Sequence, residues 1–179
     1  MTNDEQQTTT GALSVYDPYY EAGSRLLTWE TIKGEAVFTG TAAPHLLQLA
    51  WEDAARRTRI EVVAYAVLPD HVHLLLVPST ATNWERFTRA AQSDFDAAYQ
   101  AVQGLPEPVL VWKVGYRMQQ IDDERKFAAC IDRIHYDPVH HGLVERPEEW
   151  LYSSYERWIE RGVYRLGWGW ERPQRLIEV

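Results

Sequence analysis

The run Leu68-Pro69-Asp70-His71-Val72-His73-Leu74-Leu75-Leu76 constrains this chain more than any other stretch. Pro69-Asp70 is a turn signal, and the apolar residues that follow it read as a strand. Side chains alternate along a strand, so His71 and His73 share one face while Val72, Leu74 and Leu76 share the other. The strand therefore buries one face and presents two imidazoles together on the opposite one. That is a metal-ligand spacing, although a His-x-His pair taken alone also describes two hydrogen-bonded histidines on a half-buried sheet.

Neighbouring residues narrow the choice. A histidine-triad nucleotide hydrolase needs another histidine where this chain has Leu75, and a cupin-like site needs a glutamate within Leu74 to Ser79, where there is none. The His-hydrophobic-His pair of single-strand DNA nucleases remains.

The pattern around the pair predicts a scaffold. Leu26 to Ile32 alternates as a strand, and Ala42 to Arg57 carries Leu46, Leu49, Ala50 and Ala54 at helical spacing. Glu61 to Leu68 and His71 to Val77 read as antiparallel strands around Pro69-Asp70. Thr82 or Asn83 caps a helix running to about Val102, with Phe87, Ala90, Ala91 and Phe95 inward, and Gly104 to Pro108 breaks it. Val109 to Val114 and Met118 to Ile121 read as extended. Asp122 or Asp123 caps a helix expected to end near Asp137, because Pro138 disfavours helical geometry in the residue before it. Pro147, followed by Glu148 and Glu149, opens a last helix. The order β-α-β-β-α-β-α predicts an α+β, ferredoxin-like antiparallel sheet with helices packed on one face.

On the helix from Asp123 to Asp137, Phe127, Cys130, Ile131 and Ile134 form the buried stripe. At about 100° per residue, Arg133 and Asp137 share one flank, Arg133 at a surface-facing position, and Tyr136 points almost directly away from the stripe.

With this second segment beside the first, the chain resembles the REP-associated tyrosine transposases, within the wider group of HUH single-strand DNA transposases. The resemblance runs from about Ile60 to Trp170. It is carried by Ala64-Tyr65-Ala66-Val67-Leu68-Pro69-Asp70-His71-Val72-His73, by Trp112, by Ile134 to Val144 and by Trp150-Leu151-Tyr152-Ser153-Ser154-Tyr155. It implies the HUH endonuclease fold, a divalent metal held by His71, His73 and Asp137, and strand cleavage by a tyrosine that becomes linked to a 5′-phosphate. Mg²⁺ and Mn²⁺ both suit such donors, and two imidazoles with one carboxylate suit Mn²⁺ somewhat better.

The same resemblance places the nucleophilic tyrosine four residues before the third ligand, and there this chain has Arg133. A guanidinium stays protonated and cannot attack phosphorus. Tyr136 and then Tyr116 are the candidate replacements, with Tyr152 and Tyr155 read as core. His135, His140 and His141 read as solvated loop residues, with support of the metal ligands or contact to a phosphate as the alternative.

For DNA contact the candidates are Arg86, Arg89, Lys113, Arg117 and Arg133, with Arg89 at a position typically basic in the resembled family, and Trp84 and Trp112 offering either stacking surfaces or core. A net charge of −8 lowers the expected affinity for nucleic acid. The charge is unevenly spread, however: residues 1–60 carry eight acids against five bases, whereas residues 110–135 carry five bases against four acids.

Met1 to Ser14 is polar and reads as a disordered tail, neither signal peptide nor anchor, with residues 15–179 forming one HUH domain. No apolar run is long enough to span a membrane. The lone Cys130 excludes an intramolecular disulfide and fits a cytoplasmic protein. The expected partner is single-stranded or hairpin DNA, and the expected state a monomer or homodimer. Three functions fit: a metal-dependent nuclease or transposase using a relocated tyrosine, a member that has lost cleavage and binds DNA, and a metal-stabilised module acting on protein partners.

Overall fold

A computed structural model describes residues 16–79, 83–106 and 108–176. The expected tail Met1 to Ser14 and the candidate cap Thr82 lie outside the described residues. The chain folds as β1 (Arg25–Glu30), α1 (Ala42–Thr58), β2 (Ile60–Val67), β3 (His71–Pro78), α2 (Trp84–Gln103), β4 (Arg117–Gln120), α3 (Glu124–His140) and α4 (Tyr155–Glu160), with short 3-10 turns between. The strands form one antiparallel sheet in the order β2-β3-β1-β4, which is the ferredoxin-like arrangement. Asn83 caps α2 by accepting from the Arg86 N–H, and Asp123 caps α3 by accepting from the Lys126 N–H.

The helices are divided between the two faces of the sheet rather than gathered on one. Leu27, Trp29, Val72, Leu74 and Leu76 pack under α1 and α2 with Trp51, Phe87 and Phe95. On the other face Leu26, Leu75, Ala64 and Ala66 pack under α3 and α4 with Phe127, Ile131, Ile134 and Trp158. The reason is that β3 is apolar on both sides beyond His73. Leaving Leu75 and Leu26 in water would cost about 1.5–3 kcal/mol each, so the histidine-bearing face needs its own cover. Consequently α3, with Asp137, lies over the histidines.

Local expectations are corrected in four places. The inward stripe of α1 is Ala43, Leu47, Ala50, Trp51 and Ala54: Ala50 and Ala54 face inward as expected, Leu46 is partly buried, and Leu49 is half exposed while Leu47 and Trp51 fill the core beside them. Pro138 does not end α3: the helix carries on to His140, and the His141 N–H donates to the Asp137 carbonyl at 2.9 Å. Val109 to Val114 forms only one bridge, Trp112 to Thr31, although its backbone follows the end of β1 through Ile32 N–H to Val111 O and Lys113 N–H to Glu30 O. The last helix is split into a 3-10 turn at Pro147–Glu149 and α4. Between these, Tyr152 to Ser154 pairs with the open edge of β2, Val67 N–H to Tyr152 O and Ser154 N–H to Tyr65 O, satisfying backbone groups a helix there would leave bare. Among the described residues no helix is long and apolar enough to cross a membrane.

Candidate metal centre and nucleic-acid cleft

β3 sits inside the sheet, with His73 opposite Thr28 and His71 opposite Glu30 of β1. This register fixes both imidazoles. The His73 Nδ1 lies 2.9 Å from the Thr28 hydroxyl, and the His71 Nδ1 lies 2.7 Å from the Asp70 carboxylate. Because Asp70 can only accept, His71 carries its proton on Nδ1 in the neutral form and turns the Nε2 lone pair inward. Both Nε2 atoms approach one oxygen, Oδ2 of Asp137, at 3.2 Å. Asp137 is fully buried and His73 nearly so.

A buried carboxylate needs donors or positive charge around it, and here the two imidazoles and Arg133 surround Asp137. Burial by itself would raise the Asp137 carboxyl, yet hydrogen bonds from His71 and His73 and the charge of Arg133 hold it well below the usual carboxylate range. Burial opposes protonation of His71, but Asp137 and Asp70 together raise it above an ordinary imidazole. At His73 burial wins, and its affinity for a proton falls. The histidines thus differ: His71 holds the proton that the site takes up.

A divalent cation fits the same place. Donor atoms about 2.1 Å from one ion at angles of 90–110° lie roughly 3.0–3.4 Å apart, and each imidazole nitrogen is 3.2 Å from Asp137 Oδ2. Each histidine is already oriented from behind, by Thr28 or Asp70, as metal-ligating histidines usually are.

The other oxygen of Asp137 faces Arg133, whose Nη2 is 2.7 Å from Oδ1, with His141 Nε2 at 3.6 Å. The Arg133 N–H is close but not aligned, so Asp137 Oδ1 and Arg133 Nε remain buried polar atoms without a hydrogen bond. The expectation that position 133 faces the surface is corrected: the side chain is only 11% exposed, because the flank it shares with Asp137 turns toward β3.

Known proteins carry this reading further. No family model matches the chain. A protein of Haemophilus influenzae described as a REP-associated tyrosine transposase is 30% identical over 129 residues, covering 67% of this chain and 73% of the relative. The chain belongs to the REP-associated tyrosine transposases. A REP-associated tyrosine transposase of Escherichia coli K12 is 24% identical over 157 residues, covering 87% of this chain and 91% of the relative. The fold agrees with that of a REP-associated tyrosine transposase solved bound to a REP hairpin, at a TM-score of 0.71 and 21% identity, over 90% of this chain and 94% of that one.

In this chain the cluster opens into a cleft of about 490 Å³ lined by His71, His141, Lys33, Lys113, Arg117 and Arg133, with Glu30 and Asp70 at its wall. Glu30 accepts from Lys113 and Arg117, and the Lys113 hydrogen bond is the main reason its carboxyl lies below the usual range. Lys33 and Asp70 were not picked out as site residues by pattern. Lys33 carries a signal visible only in the backbone, a positive φ of 55° next to Gly34 at 69°, uncommon for a residue with a side chain.

Other candidates fall elsewhere. Arg86 and Arg89 are exposed on α2, which covers the opposite face of the sheet from the histidines, and Arg89 pairs with Glu85. Trp112 packs among Trp29, Phe38 and Phe95, and Trp84 lies against the same core. The Tyr136 ring lies beside Gly169 and does not line the cleft, since α3 does not unwind before Pro138. Tyr116 is exposed in a smaller cavity that shares Glu30, Lys113 and Arg117 with the cleft.

His135 is not a solvated loop residue. It is fully buried in α3, within 2.7 Å of the Ser154 hydroxyl and 3.0 Å of the Tyr164 hydroxyl, and Tyr164 donates on to Asp132. Burial pushes its pKa down to about 3, so it is neutral and structural. His140 is exposed, whereas His141 lines the cleft.

Proposed function

We propose that this transposase-family chain binds hairpin or single-stranded DNA in the cleft over β3, and that His71, His73 and Asp137 hold a divalent ion there, Mn²⁺ in preference to Mg²⁺. The observation that carries the reading is the approach of two imidazole Nε2 atoms to one buried carboxylate oxygen at 3.2 Å, inside a cleft edged by Lys33, Lys113, Arg117 and Arg133. A bound ion would polarise a phosphate oxygen. The chain's own groups do the rest. Lys113 and Arg117 present charge to the backbone, Thr28 and Asp70 orient the imidazoles, and Arg133 offers a guanidinium where strand cleavage would need a phenol.

DNA binding without cleavage through position 133 follows. Fluorescence anisotropy with labelled hairpin, linear and duplex oligonucleotides tests it: hairpin and single strands should bind, duplex far less, and affinity should fall steeply with salt. Equal, negligible binding to all three would refute it. Tyr116 supports a second reading, because its cavity adjoins the cleft. A covalent DNA adduct formed in Mn²⁺ by the natural protein and lost in Tyr116→Phe would establish that reading and overturn the first.

A further inference from the structure

We infer that Arg133 is a built-in cation of this site: its guanidinium offsets the charge of Asp137 and so weakens the hold on a divalent ion, and the cleft therefore holds a nucleic-acid phosphate whether or not metal is bound. The phosphate half rests on the DNA-binding reading above; the charge half stands on the geometry of Asp137.

Asp137 divides its oxygens. Oδ2 faces the two histidines, and Oδ1 faces Arg133 Nη2 at 2.7 Å. The guanidinium is permanently charged and nearly buried, so its field at the carboxylate is poorly screened by water. Asp137 and Arg133 together carry no net charge, which leaves an incoming ion two imidazoles and a carboxylate whose charge is already offset. A divalent cation would also enter within a carboxylate's width of a fixed positive charge. Metal affinity must fall on both counts.

Phosphate is favoured by the same arrangement. Arg133 Nε is buried at the cleft with no hydrogen-bond partner, a donor in need of an acceptor. Lys33 lines the cleft and forms no ion pair among the described residues, and Lys113 and Arg117 share the single carboxylate of Glu30. These donors suit a phosphodiester or terminal phosphate, which an arginine can take in a forked geometry.

Titration calorimetry of the full chain with Mn²⁺, after chelator treatment, reads the charge half without DNA. Arg133→Gln should bind Mn²⁺ at least tenfold more tightly than the natural protein, and Arg133→Lys, which keeps the charge, should gain much less. Where Arg133→Gln does not fold, Arg133→Met keeps most of the side-chain volume and serves in its place. Adding His71→Ala should remove the gain; a gain that survives His71→Ala would place the ion elsewhere and overturn the metal-site reading itself. Mn²⁺ affinity unchanged by neutralising Arg133 would overturn the inference.

Anisotropy with a labelled hairpin reads the phosphate half. The natural protein should bind within threefold in EDTA and in Mn²⁺, whereas Arg133→Gln should lose at least tenfold in EDTA and recover in Mn²⁺. Natural protein that releases the hairpin in EDTA would overturn metal-independent binding while leaving DNA recognition intact. Absence of hairpin binding in both conditions would overturn the DNA reading and leave the calorimetric result standing alone.

Discussion

Asp137→Asn in the metal-free protein probes the centre of the site most directly. The wild-type carboxylate is fully buried and sits between two imidazoles and a guanidinium. Replacing it by a neutral amide leaves Arg133 as a nearly buried charge with no counter-charge, and breaking one side of a buried ion pair costs about 3–5 kcal/mol. In a chain of this size each kcal/mol moves the midpoint by roughly 2–4 °C, so a cost near the lower bound predicts a drop of about 6–12 °C. Arg133→Gln alone should cost less, about 1–2 kcal/mol, because the histidines still hold the carboxylate. Removing both charges together should fall within about 1 kcal/mol of wild type, since well-packed neutral replacements of buried pairs are often nearly neutral. The cycle therefore predicts a coupling of roughly 3–6 kcal/mol between residues 133 and 137.

Urea and thermal unfolding in EDTA, followed by circular dichroism at pH 7, measure all four corners. The pH dependence supplies a check of sign. His71 is raised by Asp137 and Asp70, so its stabilising contribution is complete below the unfolded imidazole value and fades as pH rises through the higher folded one. The Asp137→Asn penalty should accordingly be larger at pH 6 than at pH 8.5. A midpoint change under about 2 °C, or a coupling below about 0.5 kcal/mol, would refute the view that Arg133 and Asp137 are energetically joined.

Other outcomes test the surroundings of the site. His135 is held neutral by burial with a pKa of about 3, so the stability it contributes is complete above the unfolded imidazole value near 6.5 and is lost as pH falls toward 3. Between pH 7 and pH 5 that loss amounts to about 2 kcal/mol, and urea titrations should find it diminished in His135→Gln. Gly169 has a φ of +84°, and a methyl group there would lie 2.5 Å from Pro147 Cγ. Gly169→Ala should therefore lower stability by about 2–4 kcal/mol, measured by the same unfolding assay.

Much of this protein follows from short-range pattern. Period-two alternation at His71 and His73 and helical spacing at Phe127, Cys130, Ile131 and Ile134 locate β3 and α3, and the order of elements implies a ferredoxin-like sheet. Those signals are local: each depends on which side of one strand or helix a residue occupies. The departure at position 133 is legible once the family resemblance is laid on the chain, because a guanidinium cannot do the chemistry of a phenol wherever it is placed.

What packs against what was decided only in three dimensions. The run Leu74 to Val77 is apolar on both sides, which says that β3 is covered twice but not by which helices, and one-faced packing was expected where two layers formed. Arg133 reads as surface-facing from helical angles, yet the closing of α3 onto β3 buried it against Asp137. His135 lies one residue from Tyr136 and reads from the sequence as solvated, although α3 turns it into a hydrogen-bonded core with Ser154 and Tyr164. Lys33 enters the cleft through a backbone turn that no periodicity announces. Periodicity orients a side chain about its own axis, whereas a site depends on distances between axes, and those are set by how the two cores fill.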